Sequence, residues 1–183
     1  HPEVRDEYKV FLERLVDPDE TTGYQYSINA SFRSMTRSSQ FYRYKKGGEK
    51  YSSGKPGSTA YPGHSPHNFG TALDITVKDL ESGQNYGFNI PKENKKLYEQ
   101  LPIVQIAYDL GFTWGGNFGG YWDPVHFNPS NIDYDEMRDG PNGLYKFYGF
   151  KHGQFVANKK PLTTDWVKFS KRSVSFDATV FAK

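Results

Sequence analysis

His67 and Asp74 stand seven residues apart, and Asp123 and His126 come later in the run Trp122-Asp123-Pro124-Val125-His126-Phe127. Two imidazoles and one carboxylate suit a four-coordinate Zn²⁺, and a hydrolytic zinc keeps its fourth position for water. One acid is then left over, and hydrolysis needs one. Asp123 lies three residues before His126, close enough in an extended or turning segment to act as general base toward the attacking water. On residue type alone other readings stand beside this one. His64, three before His67, competes as a ligand, and Asp123 competes as a carboxylate that orients a ligand imidazole.

A His and an Asp at this spacing arise by chance in any loop-rich domain, so the surrounding residues carry the argument. Ser65-Pro66-His67-Asn68-Phe69-Gly70-Thr71-Ala72-Leu73-Asp74 fits S-x-H-x-x-G-x-A-x-D. Trp114-Gly115-Gly116, with Asp123-x-x-His126-Phe127 after it, fits W-G-G…D-x-x-H-F. A third stretch is Ser31-Phe32-Arg33-Ser34, with Phe41-Tyr42 after it. Together these runs resemble the signatures of the M15 (VanY-like) zinc peptidases, which cut D-Ala-D-Ala or L-Ala-D-Glu bonds in bacterial peptidoglycan. The W-G-G run is most similar to the phage endolysin branch, the L-alanyl-D-glutamate endopeptidases.

The resemblance spans Ser31 to Phe127, about half of the chain, with the segments in the family's order. It implies Zn²⁺ on His67, Asp74 and His126, with His64 left to the substrate side or to solvent. It implies Asp123 as base and Arg33 as the group that stabilises the oxyanion. Ser65 either binds substrate or shapes the turn before His67. Trp114 reads as a core or cleft-wall aromatic. The implied substrate is peptidoglycan, the place of action the bacterial cell wall, and the setting a phage lytic or virion-associated one. Two other classes stay open: a D-Ala-D-Ala carboxypeptidase or dipeptidase, and a non-catalytic wall-binding or structural virion module. The chain departs from the family pattern at Ser38, usually Gln, at Asn117, usually Asp, and at Gly119-Gly120-Tyr121. These departures touch neither ligand nor base and bear on which bond is cut.

The elements that must position these residues can be read from composition and pattern. With 183 residues, 36% hydrophobic and 17% aromatic, the chain can bury one sizeable core but not a second complete one. Its 18 Gly and 11 Pro call for many turns. The absence of Cys excludes disulfides and thiolate ligands, so a metal must be held by His and carboxylates. No apolar run approaches the roughly 18 residues of a membrane span. The chain begins at His1 without a leader pattern, so the native N-terminus is expected to be processed, trimmed or further upstream.

Val4, Tyr8, Phe11, Leu12 and Leu15 recur at helical spacing, and Asp17-Pro18 ends the pattern. Tyr24 to Phe32 reads as a strand that delivers Arg33 from its end. A helix is expected from Ser34 to Lys46, then a long Gly/Ser/Pro-rich loop from Gly47 to Ser65. Phe69 to Val77 reads as a strand with Gly70, Ala72 and Asp74 on one face. Glu81 to Asn85 is a turn, and Glu93 to Leu110 is helical with a break at Pro102 and a stop at Gly111. A strand, a glycine-rich excursion and a return strand bearing His126 occupy Phe112 to Phe127. The expected fold is α+β, a small antiparallel sheet flanked by helices and carrying a mononuclear zinc site, of the M15/VanY-like, Hedgehog type.

The division expected is a catalytic domain at 1–130 and a basic, aromatic-rich extension at 131–183. From Leu144 to Lys183 eight Lys/Arg face only Asp165 and Asp177, a net +6 within a chain of +2. Its interleaved Tyr, Phe and Trp suggest short strands. The preferred reading is a β-rich extension packed on the core. The alternative is attachment to an anionic wall polymer, to glycan strands or to a virion protein. The basic residues match no nucleic-acid motif, so nucleic acid is not an expected partner.

Overall fold

The computed structural model describes residues 1, 4–35, 37–38, 40–41, 60–119 and 122–140. Two compact units emerge, one built from residues 1–31 and 71–131, the other from 32–70 and the stretch beginning at Ile132.

The first unit is the sheet and its helices. Helix α1 (Arg5–Leu15) forms where the apolar spacing places it and buries Phe11 and Leu15. Asp17 then caps a short helix, α2 (Pro18–Thr21), by accepting the Asp19 N–H, with Pro18 in the first turn where its missing N–H costs nothing. Strand β1 (Tyr24–Ala30) pairs antiparallel with β2 (Leu73–Asp79), and β2 turns into the two-residue strand β3 (Asn85–Tyr86). The helical stretch near Pro102 is broken as expected into α3 (Lys95–Glu99) and α4 (Pro102–Asp109), and Gly111 leaves α4 at φ +71, a left-handed conformation that glycine adopts without strain. Strands β4 (Phe112–Trp114) and β5 (His126–Pro129) complete an antiparallel sheet of order β1-β2-β5-β4, with β3 paired to β2.

One core fills this unit. Phe11 and Leu15 of α1, Ile75 and Val77 of β2, Ile103, Val104, Ile106 and Ala107 of α4, Phe112 and Trp114 of β4 and Phe127 of β5 belong to it. The hydroxyl of Tyr8 reaches two backbone carbonyls, those of Thr71 at 3.0 Å and Phe127 at 2.9 Å, and so ties α1 to the entrance of β2 and to β5.

The second unit contributes shorter elements. Met35, Arg37, Ser38, Gln40 and Phe41 have helical backbone, as expected of the stretch from Ser34, while its continuation to Lys46 and most of the loop to Ser65 lie outside the described residues. Pro66–Phe69 form one turn of 3₁₀ helix, and α5 (Tyr134–Asp139) is capped by Asp133, which accepts the Glu136 N–H.

The strand expected from Phe69 begins instead at Leu73. Proline at the first position of the 3₁₀ turn favours helical φ, and Gly70 closes it at φ 69° and ψ 30°. Gly70 therefore belongs to a cap and shares no strand face with Asp74. Of the β-rich extension expected at 131–183, only 131–140 are described, and there the chain forms α5 instead of a strand; the rest lies outside the described residues. Among the described residues no helix is long and apolar enough to cross a membrane.

Candidate metal centre

Asp74 and His126 sit directly opposite one another, because β2 and β5 pair Leu73 with Phe127 and Asp74 with His126. Successive side chains of a strand point to opposite faces of its sheet. Ile75, Val77 and Phe127 enter the core with Leu73 against it, which turns Asp74 and His126 to the other face. Both are nonetheless buried, at 3% and 2% exposure, and Asp74 Oδ1 lies 3.3 Å from His126 Nδ1. The other cross-strand neighbour of Asp74 is Ala30, reached after an irregularity in β1 between Ile28 and Ala30. Its small side chain leaves room beside the carboxylate.

The ligand atoms of His67, Asp74 and His126 all lie within 4.8 Å of one another, and all three residues are buried. Two imidazoles and a carboxylate so gathered fit one divalent cation. Ligand atoms about 2.0–2.2 Å from a tetrahedral ion stand roughly 3.3–3.6 Å apart. The Asp74–His126 separation of 3.3 Å falls in that range.

The segment that precedes His126 is held by its backbone. The Asp123 N–H donates to the Gly115 carbonyl at 3.4 Å, and the Asp123 carbonyl accepts the His126 N–H at 3.2 Å. Trp114 Nε1 donates to the Pro124 carbonyl at 2.7 Å, and the Ile75 N–H donates to the Val125 carbonyl at 2.8 Å. Four bonds thus fix a turn that sets Asp123, half-buried, three residues ahead of His126. The same contacts explain Trp114-Gly115-Gly116. A Cβ on Gly115 would stand 2.2 Å from the Asp123 carbonyl oxygen and 2.8 Å from His126 Cβ, and one on Gly116 would strike the Trp114 ring at 2.3 Å. Trp114 itself is wholly buried, which makes it a core aromatic with one polar anchor. Asn117 takes part in a surface network, accepting from Lys95 Nζ at 2.7 Å and donating to the Tyr108 hydroxyl at 2.9 Å.

His67 rides on the 3₁₀ turn that starts after Ser65, a residue only 7% exposed whose side chain makes no capping bond. The Arg33 N–H donates to the His67 carbonyl at 2.8 Å. Asn68 then closes the arrangement: its amide nitrogen donates to the Arg33 carbonyl at 2.8 Å and to Ser38 Oγ at 2.7 Å, while its oxygen accepts the Gly63 N–H at 2.9 Å. Ser38, where the sequence departs from the family pattern, is a buried member of this cluster. The Arg33 guanidinium lies 5.4 Å from the centre of the Phe41 ring, and that of Arg37 lies 4.7 Å from it. His64 is exposed and directs Nδ1 at Arg138 Nη1, 3.2 Å away, so that nitrogen is an acceptor. It is no member of the three-residue cluster.

Two residues beside the cluster escaped the sequence reading. Asn68 gave no signal beyond its place next to His67. Asn128 could have been found, since it lies two residues after His126 and a strand presents i and i+2 on one face. His126 Nε2 is 3.0 Å from Asn128 Oδ1.

Residues 59–129 match the family model of an M15 peptidase group described as D-alanyl-D-alanine carboxypeptidase. Over 99 residues the chain is 29% identical to the peptidoglycan L-alanyl-D-glutamate endopeptidase CwlK of Bacillus subtilis (strain 168), covering 54% of this chain and 57% of the relative. The chain thus spans little more than half of that relative's length. Among solved structures it is similar to the Serratia marcescens L-Ala D-Glu endopeptidase ChiX, with 21% identity, a TM-score of 0.41, and 71% of this chain and 80% of that one covered. It is also similar to VanYB in complex with D-alanine-D-alanine, with 17% identity, a TM-score of 0.41, and coverage of 83% and 81%. The segment that matches the M15 family model, residues 59–129, contains His67, Asp74, Asp123 and His126.

Proposed function

We propose that this chain hydrolyses a peptide bond in the stem peptides of bacterial peptidoglycan as a zinc-dependent enzyme, with the L-Ala-D-Glu bond as its substrate. The observation that carries this reading is the gathering of His67, Asp74 and His126. The choice of bond is supported by the name of the Bacillus subtilis relative.

In this reading His67, Asp74 and His126 hold the zinc, which supplies Lewis acidity and a water of lowered pKa. Asp123 takes the proton from the attacking water and returns it to the leaving amine. Arg33 donates to the carbonyl oxygen as it gains negative charge. Ser65, at the start of the 3₁₀ turn, contacts the substrate backbone. The basic, aromatic stretch from Leu144 to Lys183 suits an anionic polymer and supports a lytic or virion-associated setting.

The test is mass spectrometry of fragments released from purified peptidoglycan by the zinc-loaded protein, with a chelated control. Peptides that newly begin with D-Glu, paired with L-Ala termini, support the endopeptidase. Release of free D-Ala instead favours the second reading, a carboxypeptidase, for which the description of the matching family model speaks. No zinc-dependent product from several wall types overturns both and leaves a non-catalytic wall-binding module.

A further inference from the structure

His126 has two ring nitrogens, and the metal reading uses only one. Nδ1 faces Asp74 Oδ1 at 3.3 Å, while Nε2 faces Asn128 Oδ1 at 3.0 Å. The orientation of the Asn128 amide is set by a third group, because its Nδ2 donates to the Pro129 carbonyl at 2.9 Å. Turning the amide over would set two oxygens against each other, and the oxygen is therefore the atom that faces the imidazole. A carboxamide oxygen only accepts. Its partner Nε2 must then carry the hydrogen, and in a neutral ring the lone pair is left on Nδ1, the nitrogen that faces Asp74.

From this geometry we infer that Asn128 is a positioning residue for the metal centre: its side-chain oxygen accepts the Nε2–H of His126 and so presents Nδ1 as the ligand atom. The inference rests on the zinc reading proposed above. The burial supports it, since His126 is 2% exposed and Asn128 5%, which leaves little water to take over the bond. The register supports it too. Asn128 is opposite Thr113 and His126 is opposite Asp74, so each is fixed by its own ladder partner. An acceptor behind a ligand imidazole sets its tautomer and ring angle and raises its basicity, and losing such a partner weakens metal binding by about 10- to 100-fold.

The experiment compares the full chain with Asn128→Leu, which removes the acceptor while keeping the branched shape, and Asn128→Asp, which keeps the acceptor toward His126 but gives up the Nδ2 donor to Pro129. Two readouts are taken on zinc-loaded, ¹⁵N-histidine-labelled protein: zinc affinity by chelator competition, and the Nε2–H signal of His126. The expected result is a slowly exchanging Nε2–H in the unsubstituted protein. Affinity falls about 10- to 100-fold in Asn128→Leu and returns to within a few-fold in Asn128→Asp. Unchanged affinity in a folded Asn128→Leu, or zinc bound through Nε2, overturns the inference and leaves the zinc reading standing. If Asn128→Leu fails to fold, Asn128→Asp still decides: a carboxylate acceptor must move the Nε2–H resonance to lower field, and an unmoved resonance overturns the hydrogen bond. An unsubstituted protein that takes up no zinc removes the inference together with the reading beneath it.

Discussion

Asp74 and His126 are cross-strand partners on β2 and β5, and their facing side-chain atoms are 3.3 Å apart. Their neighbours Leu73 and Phe127 form the adjacent pair and face the core. A slip of one residue would turn the core pair outward and the polar pair inward. The apolar packing that stabilises the sheet therefore also holds the carboxylate opposite the imidazole.

That relationship gives the first prediction. Asp74→Asn preserves shape but removes the charge, and His126→Ala removes a donor outright. Zinc affinity, measured by chelator competition, should fall in each by more than the roughly 10- to 100-fold that loss of a residue behind a ligand costs. Far-ultraviolet circular dichroism should stay close to that of the unsubstituted protein. Affinity within a few-fold of normal in both variants would remove these residues from the ligand set.

Asp123 should separate chemistry from binding. Its backbone bonds to Gly115 and His126 do not involve the carboxylate, so Asp123→Asn leaves those two bonds in place. Turnover on peptidoglycan should drop about 10²- to 10⁴-fold, with zinc affinity nearly unchanged. If zinc affinity falls in step with turnover, Asp123 orients a ligand and is not the base.

Much of the frame was legible in the sequence. Helix α1, the break at Pro102 and the stop at Gly111 obey local rules of spacing, missing N–H groups and left-handed glycine, and each formed where those rules put it. The start of β2 was misread because Phe69 to Val77 is apolar enough for a strand, while the 3₁₀ turn depends on Pro66 and Gly70 at its two ends. The hydrogen-bonding role of Asn68 was not legible at all. Its partners are Gly63, Arg33 and Ser38, and only the folded chain brings residues 30 and 35 positions away within reach. Asn128 was legible in principle, by the two-residue period of β5.

Gly115 offers a steric test of how the turn is held. Its absent Cβ is the space that the Asp123 carbonyl and His126 Cβ occupy. Gly115→Ala should destabilise the protein by about 1–3 kcal/mol through overpacking, lowering Tm by several degrees, and should weaken zinc binding because His126 must shift. Gly119→Ala is the control. A Cβ there meets nothing within 4 Å, so the change should stay within about 0.5 kcal/mol. Equal melting temperatures for the two variants would refute the close approach.

Asn68→Ala should act through unpaired backbone. It removes the acceptor of the Gly63 N–H and the donor to the Arg33 carbonyl. Leaving such buried groups without a partner costs about 1–3 kcal/mol each. Denaturant titration should show a lower midpoint at an unchanged slope. A midpoint equal to that of the unsubstituted protein would mean that water replaces the amide and that the cluster contributes no rigidity to Arg33.

Zinc should stabilise the folded chain, because the three donors gather only in the native state. For a ligand that binds only the folded form, free metal at 100 times its Kd adds about 2.7 kcal/mol. In a chain of this size that is a rise in Tm of roughly 5–10 °C. The variants sort the cause. On the roles proposed above, His126→Ala should abolish the rise and Asp123→Asn should retain it in full. A rise that survives His126→Ala would show that zinc stabilises the protein from elsewhere on its surface, and the three-residue centre would lose its main thermodynamic support.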